Sequence, residues 1–205
     1  ELSAIRCDVL ACDLRERLPD ASELGRVDLL VNNAGFGAMG RFETWDGDWA
    51  AGMIDVNVRA VAALTRAVIP QMLDRGRGGI LNVASTAAFQ PLPYMAEYAA
   101  TKAFVLSFSR ALHVEYRSRG ITVTALCPGA TRTRFHRIAQ VSEPPLLVGQ
   151  SVREVAGYGL RALESGRATA VSGWYNRVGA ALAEVTPGML AATLAGAAMN
   201  VIRKR

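Results

Sequence analysis

The stretch Val27-Asp28-Leu29-Leu30-Val31-Asn32-Asn33-Ala34-Gly35 decides the fold. Its first five residues form an apolar run of strand length. It then stops on two asparagines and a glycine, residue types that favour turns. Working outward, the same alternation recurs. Cys7 to Leu10 is a short apolar run ahead of Cys12-Asp13-Leu14. Ile80-Leu81-Asn82-Val83-Ala84 follows Gly78-Gly79, Ile121 to Leu126 is β-branched at alternate places, and Ala168 to Val171 is a shorter, weaker run. Between these lie segments with helical spacing of apolar residues. Trp49 to Met72 carries Met53, Val56, Ala60, Leu64 and Val68, Glu97 to Tyr116 carries Phe104, Phe108 and Leu112, and Val152 to Leu163 is a third. Strands separated by long helices imply βαβ units, right-handed crossovers and a mainly parallel sheet covered on both faces. The expected fold class is α/β, a doubly wound parallel sheet in three layers.

Composition bounds the function. The chain has 205 residues, 51% of them hydrophobic, and a net charge of +5. That is too apolar for a disordered chain and long enough for one domain with a real core. Three cysteines cannot form a complete disulfide framework. Cys7, Cys12 and Cys127 sit in apolar surroundings and read as buried thiols, which suits a reducing, cytoplasmic compartment. Arginines are scattered without a basic stripe or interleaved aromatics, so no nucleic-acid partner is expected. Glu1-Leu2-Ser3-Ala4 lacks the basic and apolar regions of a signal peptide. The apolar run Leu190 to Ile202 is too short to span a bilayer. Residues 1–173 read as one α/β domain. Residues 174–205 read as an Ala/Leu-rich helical tail, broken at Pro187-Gly188 and closing on Arg203-Lys204-Arg205. The tail either packs on the domain or a second subunit, or rests on a lipid surface held by its basic end.

The chemistry starts at Tyr98-Ala99-Ala100-Thr101-Lys102. Positions four apart share a helix face. A unit charge about 4 Å away at an effective dielectric near 20 is worth roughly 4 kcal/mol, or about three pKa units. Lys102 is therefore expected to bring the Tyr98 phenol toward neutral pH, where a general acid/base works best. Such pairs also occur by chance on surface helices. Ser85 ends a strand, beyond the carboxyl ends of a parallel sheet where ligands bind, and its hydroxyl suits a substrate oxygen; an ordinary strand-end serine satisfying backbone groups, with Thr86 as a competing hydroxyl, is the alternative. Asn57 is a poor interior helix residue, which invites a functional explanation or a buried, satisfied amide. The loops Asn32-Asn33-Ala34-Gly35 and Pro128-Gly129-Ala130-Thr131-Arg132-Thr133 carry small residues that let a flat ligand approach the backbone.

Jointly, these pieces resemble the classical short-chain dehydrogenase/reductase family across about residues 5 to 175. The resemblance rests on Asn32-Asn33-Ala34-Gly35, Asn57, Ser85, the Tyr98/Lys102 pair and Pro128-Gly129 with Thr133, in order and spacing. It implies a Rossmann-like fold and an NAD or NADP cofactor. It also implies a carbonyl or alcohol substrate and a homo-oligomer formed through helices 49–73 and 97–118. By the same resemblance Tyr98 moves the proton and Lys102 lowers its pKa while holding the nicotinamide ribose. Ser85 orients the substrate oxygen, and Asn57 keeps a water in a proton relay. Asp13 meets the adenine ring, Asn33 lines the ribose region, and Thr131 and Thr133 contact the carboxamide. Thr131 departs from the aliphatic residue common in the family.

The family's opening strand, Gly-rich turn, helix and second strand have no counterpart before Asp13. One βαβ unit takes about 30 residues or more, so roughly 50 to 60 residues are expected to be absent. The pyrophosphate binds at that turn, so poor dinucleotide binding is expected of the chain as given, with the NAD or NADP preference undetermined. The Val27 to Val31 strand is expected to be an uncovered apolar edge. The segment Phe89-Gln90-Pro91-Leu92-Pro93-Tyr94-Met95, with Phe135, His136 and Pro144-Pro145-Leu146-Leu147, suggests a hydrophobic substrate. His113 reads as a helix-surface residue, and no metal site is expected. The alternative is a cofactor-deficient scaffold protein that keeps the helical faces.

Overall fold

The computed structural model describes residues 12–133, 135, 139 and 149–203. The expected strand at Cys7 to Leu10, together with His136 and Pro144 to Leu147, lies outside them. Four strands, β1 (Leu29–Asn32), β2 (Gly78–Val83), β3 (Ile121–Cys127) and β4 (Thr169–Val171), form one sheet in the order β1-β2-β3-β4. Every pairing is parallel, with Leu30 opposite Ile80, Ile80 opposite Val123 and Ala125 opposite Thr169.

The helices are α1 (Ala21–Leu24), α2 (Gly47–Ile54), α3 (Val61–Asp74), α4 (Ala96–Tyr116), α5 (Val152–Glu164), α6 (Trp174–Val185) and α7 (Gly188–Arg203). Local chemistry fixes several starts. Asp46 accepts hydrogen bonds from the Asp48 and Trp49 amides, and Ser151 forms a reciprocal capping box with Glu154 at α5.

Side-chain alternation along the strands sorts the core into two layers. Ile80, Ile121 and Val123 pack against Val68, Ile69 and Met72 of α3, while Ala125 and Cys127 meet Val105 and Leu106 of α4. On the opposite face Leu81 and Leu126 pack against Val155, Ala162 and Leu163 of α5. The result is the three-layer α/β arrangement expected, with helices on both sheet faces. The turn from α4 into β3 needs glycine. Gly120 has φ +80°, and a Cβ there would lie 1.9 Å from the Gly76 carbonyl oxygen.

Three expectations need correction. The helix expected over Trp49 to Met72 is interrupted by a π-helical segment, Asp55–Ala60, between α2 and α3. Apolar spacing does not register this, because the extra residue per turn widens the helix without changing which residues are apolar. His113 is not on the surface. It is buried, with Nδ1 donating to the Val123 carbonyl oxygen at 2.9 Å, so it ties α4 to β3. Cys12 is half-buried, whereas Cys127 is fully buried. The tail is two helices, and no helix among the described residues is long and apolar enough to cross a membrane.

Candidate active site

The parallel sheet sends its C-terminal strand ends to one rim, where Asn33, Ser85, Pro128 and Gly129 follow β1, β2 and β3. A cavity of about 650 Å3 opens there, a size typical of ligand sites. Its lining includes Asn33, Gly35, Ser85, Tyr98, Lys102, Gly129, Thr131 and Thr133. Of the eight residues singled out in the sequence, six therefore share one cavity wall. The exceptions are Asn57, which lies behind the wall, and Asp13.

Ser85 is held by its own loop. It caps the short helical turn Thr86–Phe89, its Oγ accepting from the Ala87 amide at 3.1 Å. The same hydroxyl hydrogen-bonds the Tyr98 phenol. Tyr98 comes from the first turn of α4 and packs its ring against Phe135, with centroids 5.2 Å apart. Lys102, one turn on, is buried, and its Nζ donates to the Val83 carbonyl oxygen at 2.8 Å. That nitrogen lies 5.8 Å from the centre of the Tyr98 ring.

The electrostatics differ from the expected acidified phenol. Burial pushes the Tyr98 phenol above its usual pKa, and the Ser85 hydrogen bond offsets part of that rise. Burial also pulls Lys102 down to about 8. The Cys127 thiol, itself pushed up to about 12 by burial, stays protonated. The helical spacing brings cation and ring together, but low local dielectric, not the cation, dominates the phenol.

Asn57 occupies the π-helical segment and is fully buried. Its Nδ2 donates to the Phe36 carbonyl oxygen at 2.9 Å and to Thr101 Oγ1 at 3.0 Å, while Oδ1 accepts from the Phe36 amide at 3.2 Å. The amide thus pins the 35–37 loop to α4. A Cβ on Gly35 would come within 2.9 Å of Asn57 Oδ1 and 3.2 Å of Lys102 Nζ, and one on Gly37 within 2.8 Å of the Tyr98 ring. These glycines keep backbone against the Tyr98 and Lys102 side chains and leave the space in front of them free.

Thr131 Oγ1 donates to the Gly129 carbonyl oxygen, and Thr133 Oγ1 accepts from the Phe135 amide. Asp13 is not in the cavity wall. Its carboxylate accepts from the Arg15 amide and Nε at 2.9 and 3.0 Å, and the Arg15 guanidinium holds it at about 2.

Sequence reasoning missed the polar chain beneath the site. Asn32 Nδ2 donates to Asn82 Oδ1 at 2.7 Å, and Asn82 Nδ2 donates to Ser109 Oγ at 2.9 Å, all of them buried. This chain ties β1 to β2 and β2 to α4 just below the rim. The available signal was an asparagine in the middle of the apolar run Ile80 to Val83, which only a partner could make tolerable.

With this geometry in view, the likenesses to known proteins are informative. The family described as short chain dehydrogenase matches residues 2–142. The chain belongs to the short-chain dehydrogenases. A relative from Myxococcus xanthus, named an uncharacterized oxidoreductase, is 34% identical over 189 residues, 91% of this chain and 73% of that protein. The very-long-chain 3-oxoacyl-CoA reductase of Anas platyrhynchos is 44% identical over 90 residues, 44% of this chain and 29% of that one. Among solved structures, a short-chain dehydrogenase from Sphingobium yanoikuyae in complex with NADPH superposes with TM-score 0.69 and 31% identity, covering 79% of this chain and 60% of that one. The 3-ketoacyl-(acyl-carrier-protein) reductase of Brucella melitensis, complexed with NADH, gives TM-score 0.63 and 30% identity over 73% and 66%. This short-chain dehydrogenase thus spans 60% and 66% of the length of those two solved relatives. Its family is one of oxidoreductases that work with NAD or NADP.

Proposed function

We propose that this protein exchanges hydride between NAD(H) or NADP(H) and the carbonyl or alcohol carbon of a hydrophobic substrate, with Tyr98 moving the proton. One observation carries the reading: Ser85, Tyr98 and buried Lys102 converge on one wall of the rim cavity.

The residues present suit the nicotinamide and ribose end of the cofactor. The Gly35 and Gly37 backbone leaves room that a Cβ would fill. Lys102 has two ammonium donors beyond its bond to Val83, which suit ribose hydroxyls. Asn33, Thr131 and Thr133 offer polar groups along the same wall. Asp13 keeps its adenine contact by family likeness alone. When bound, the nicotinamide supplies or accepts the hydride.

In the reducing direction Tyr98 Oη gives its proton to the substrate oxygen as negative charge develops there. Ser85, held by the Ala87 amide, turns its O–H from the Tyr98 phenol to that oxygen when substrate is present. The Lys102 ammonium stabilises the phenolate left on Tyr98, which then takes a proton back from solvent. Asn57 positions the 35–37 loop through its three hydrogen bonds, and a role in a proton relay is part of this proposal. In the oxidising direction the same groups take the alcohol proton.

Met95 and Phe135 border the cavity, and Met39, Leu92 and Tyr94 pack with them. An apolar ketone or alcohol fits this wall, and the two reductases described above are named for oxoacyl substrates. The scaffold alternative gains nothing from these relatives, which are named as reductases or oxidoreductases.

The test is turnover of a panel of hydrophobic ketones with NADH and NADPH, using the full gene product and its Tyr98→Phe variant. Loss of the proton donor is expected to lower turnover about 10²- to 10⁴-fold while calorimetric coenzyme binding stays unchanged. Undiminished turnover removes Tyr98 from the mechanism. Failure of the unaltered protein to bind either coenzyme favours the scaffold. Micromolar binding by these 205 residues alone would overturn the expectation that a Gly-rich turn is indispensable.

A further inference from the structure

The exposed face of α6 is apolar. Trp174, Val178, Leu182 and Val185 recur at spacings of four, four and three, so they line one side of the helix, and Ala180 is turned inward. After Thr186-Pro187, α7 continues the pattern. Met189, Leu190 and Leu194 are turned to solvent, whereas Ala191, Ala195 and Met199 are buried. These seven large side chains are 52–81% exposed. A patch of this kind on two successive helices marks a surface that something covers.

Charge narrows the occupant. Residues 174–205 hold four cations, Arg177, Arg203, Lys204 and Arg205, against one carboxylate, Glu184. That carboxylate is already bonded to Arg110 at 2.7 Å. A second copy paired through this face would bring its own cations and no free carboxylate from the tail to meet them. An anionic lipid surface offers both an apolar boundary for the stripe and phosphates for the basic end. Trp174 is the residue type that settles at such a boundary. At 16 residues α7 falls short of a bilayer span and is suited to lying in the plane.

We infer that α6 and α7 dock this protein on an anionic membrane surface. The inner side of the same α7 reaches the active site: Met199 packs with Met39 and Met95, next to Tyr98 and Phe135. Gly196 lets the helix approach Pro93, where a Cβ would sit 3.2 Å from the ring. The lipid-facing helix therefore packs behind Met95 and Phe135, which border the cavity. The docking itself does not depend on the reaction proposed above.

The test is flotation with phosphatidylcholine vesicles, with and without phosphatidylglycerol, read as bound fraction and independent of activity. The protein is expected to float with the phosphatidylglycerol vesicles and to be released by salt. Combining Arg203→Ser, Lys204→Ser and Arg205→Ser is expected to weaken partitioning at least about tenfold. Leu182→Asp with Val185→Asp, both at exposed positions, is expected to abolish it while circular dichroism stays unchanged. No flotation with either vesicle, or flotation indifferent to the charge variant, overturns the inference. So does a dimer in sedimentation velocity that the Asp variant dissociates, which would assign the face to a second copy.

Discussion

Lys102 is 5% exposed and holds its ammonium against the Val83 carbonyl oxygen. Burial lowers its pKa from 10.5 to about 8. The unfolded chain keeps this proton up to the ordinary lysine value, while the folded protein releases it from about pH 8. Between those values the unfolded state binds more protons, so stability rises with pH. Below pH 8 the buried cation costs the full difference, on the order of 3 kcal/mol. Lys102→Met removes this dependence. Urea unfolding of both proteins is expected to show wild type gaining roughly 3 kcal/mol on the variant between pH 8 and 10.5. A constant gap across that window would mean that the ammonium is solvated. The phenol shifts the other way from the simple pair argument, because burial disfavours a phenolate just as it disfavours an ammonium. A helical turn thus brings the two groups together, while burial sets the direction of the Tyr98 shift.

The π-helical segment Asp55–Ala60 and the loop after β1 act as one unit through Asn57. Its amide satisfies both the N–H and the carbonyl of Phe36, and Thr101 Oγ1 accepts its other proton. Thr101 itself donates to the Tyr98 carbonyl oxygen at 2.8 Å, so the link continues to the first turn of α4. Asn57→Ala leaves the Phe36 groups without this partner in a half-buried position and leaves a buried void where the amide stood. A loss of about 2–4 kcal/mol in chemical unfolding is expected, and a loss under about 0.5 kcal/mol, typical of surface sites, would show that the loop holds itself. The Asn32-Asn82-Ser109 chain performs the same task one layer deeper, fixing strand ends that carry Asn33 and Ser85.

At the scale of the molecule, β1 pairs with β2 on one side, and no described strand lies on its other side. Leu29 and Val31, two residues apart and so on one face, are each 44% exposed. Leu29 lies beside Leu163 across Gly79, which sets that face on the α5 side. An apolar strand with an open edge templates pairing with other chains. For these 205 residues, Leu29→Lys is expected to slow the growth of light scattering at micromolar concentration, with a stability change within about 0.5 kcal/mol. Scattering unaltered by the charge would clear this edge as the source of association.

The alternation of strand and helix, the parallel sheet and the Tyr98/Lys102/Ser85 constellation were legible in sequence because each rests on local periodicity and spacing. Val27 to Gly35 showed a strand and its turn, and the i and i+4 rule put phenol and ammonium on one face. The tail's basic close, Arg203-Lys204-Arg205, was equally plain. Burial was not legible, since it depends on what distant segments lay over a residue. His113 looked like a surface residue until β3 supplied a carbonyl beneath it, and the Trp49 to Met72 helix looked continuous until Asn57 had a loop to hold. The direction of the Tyr98 shift also came from the tertiary structure alone: charge spacing is written along the chain, but the dielectric around it is set only when the layers close.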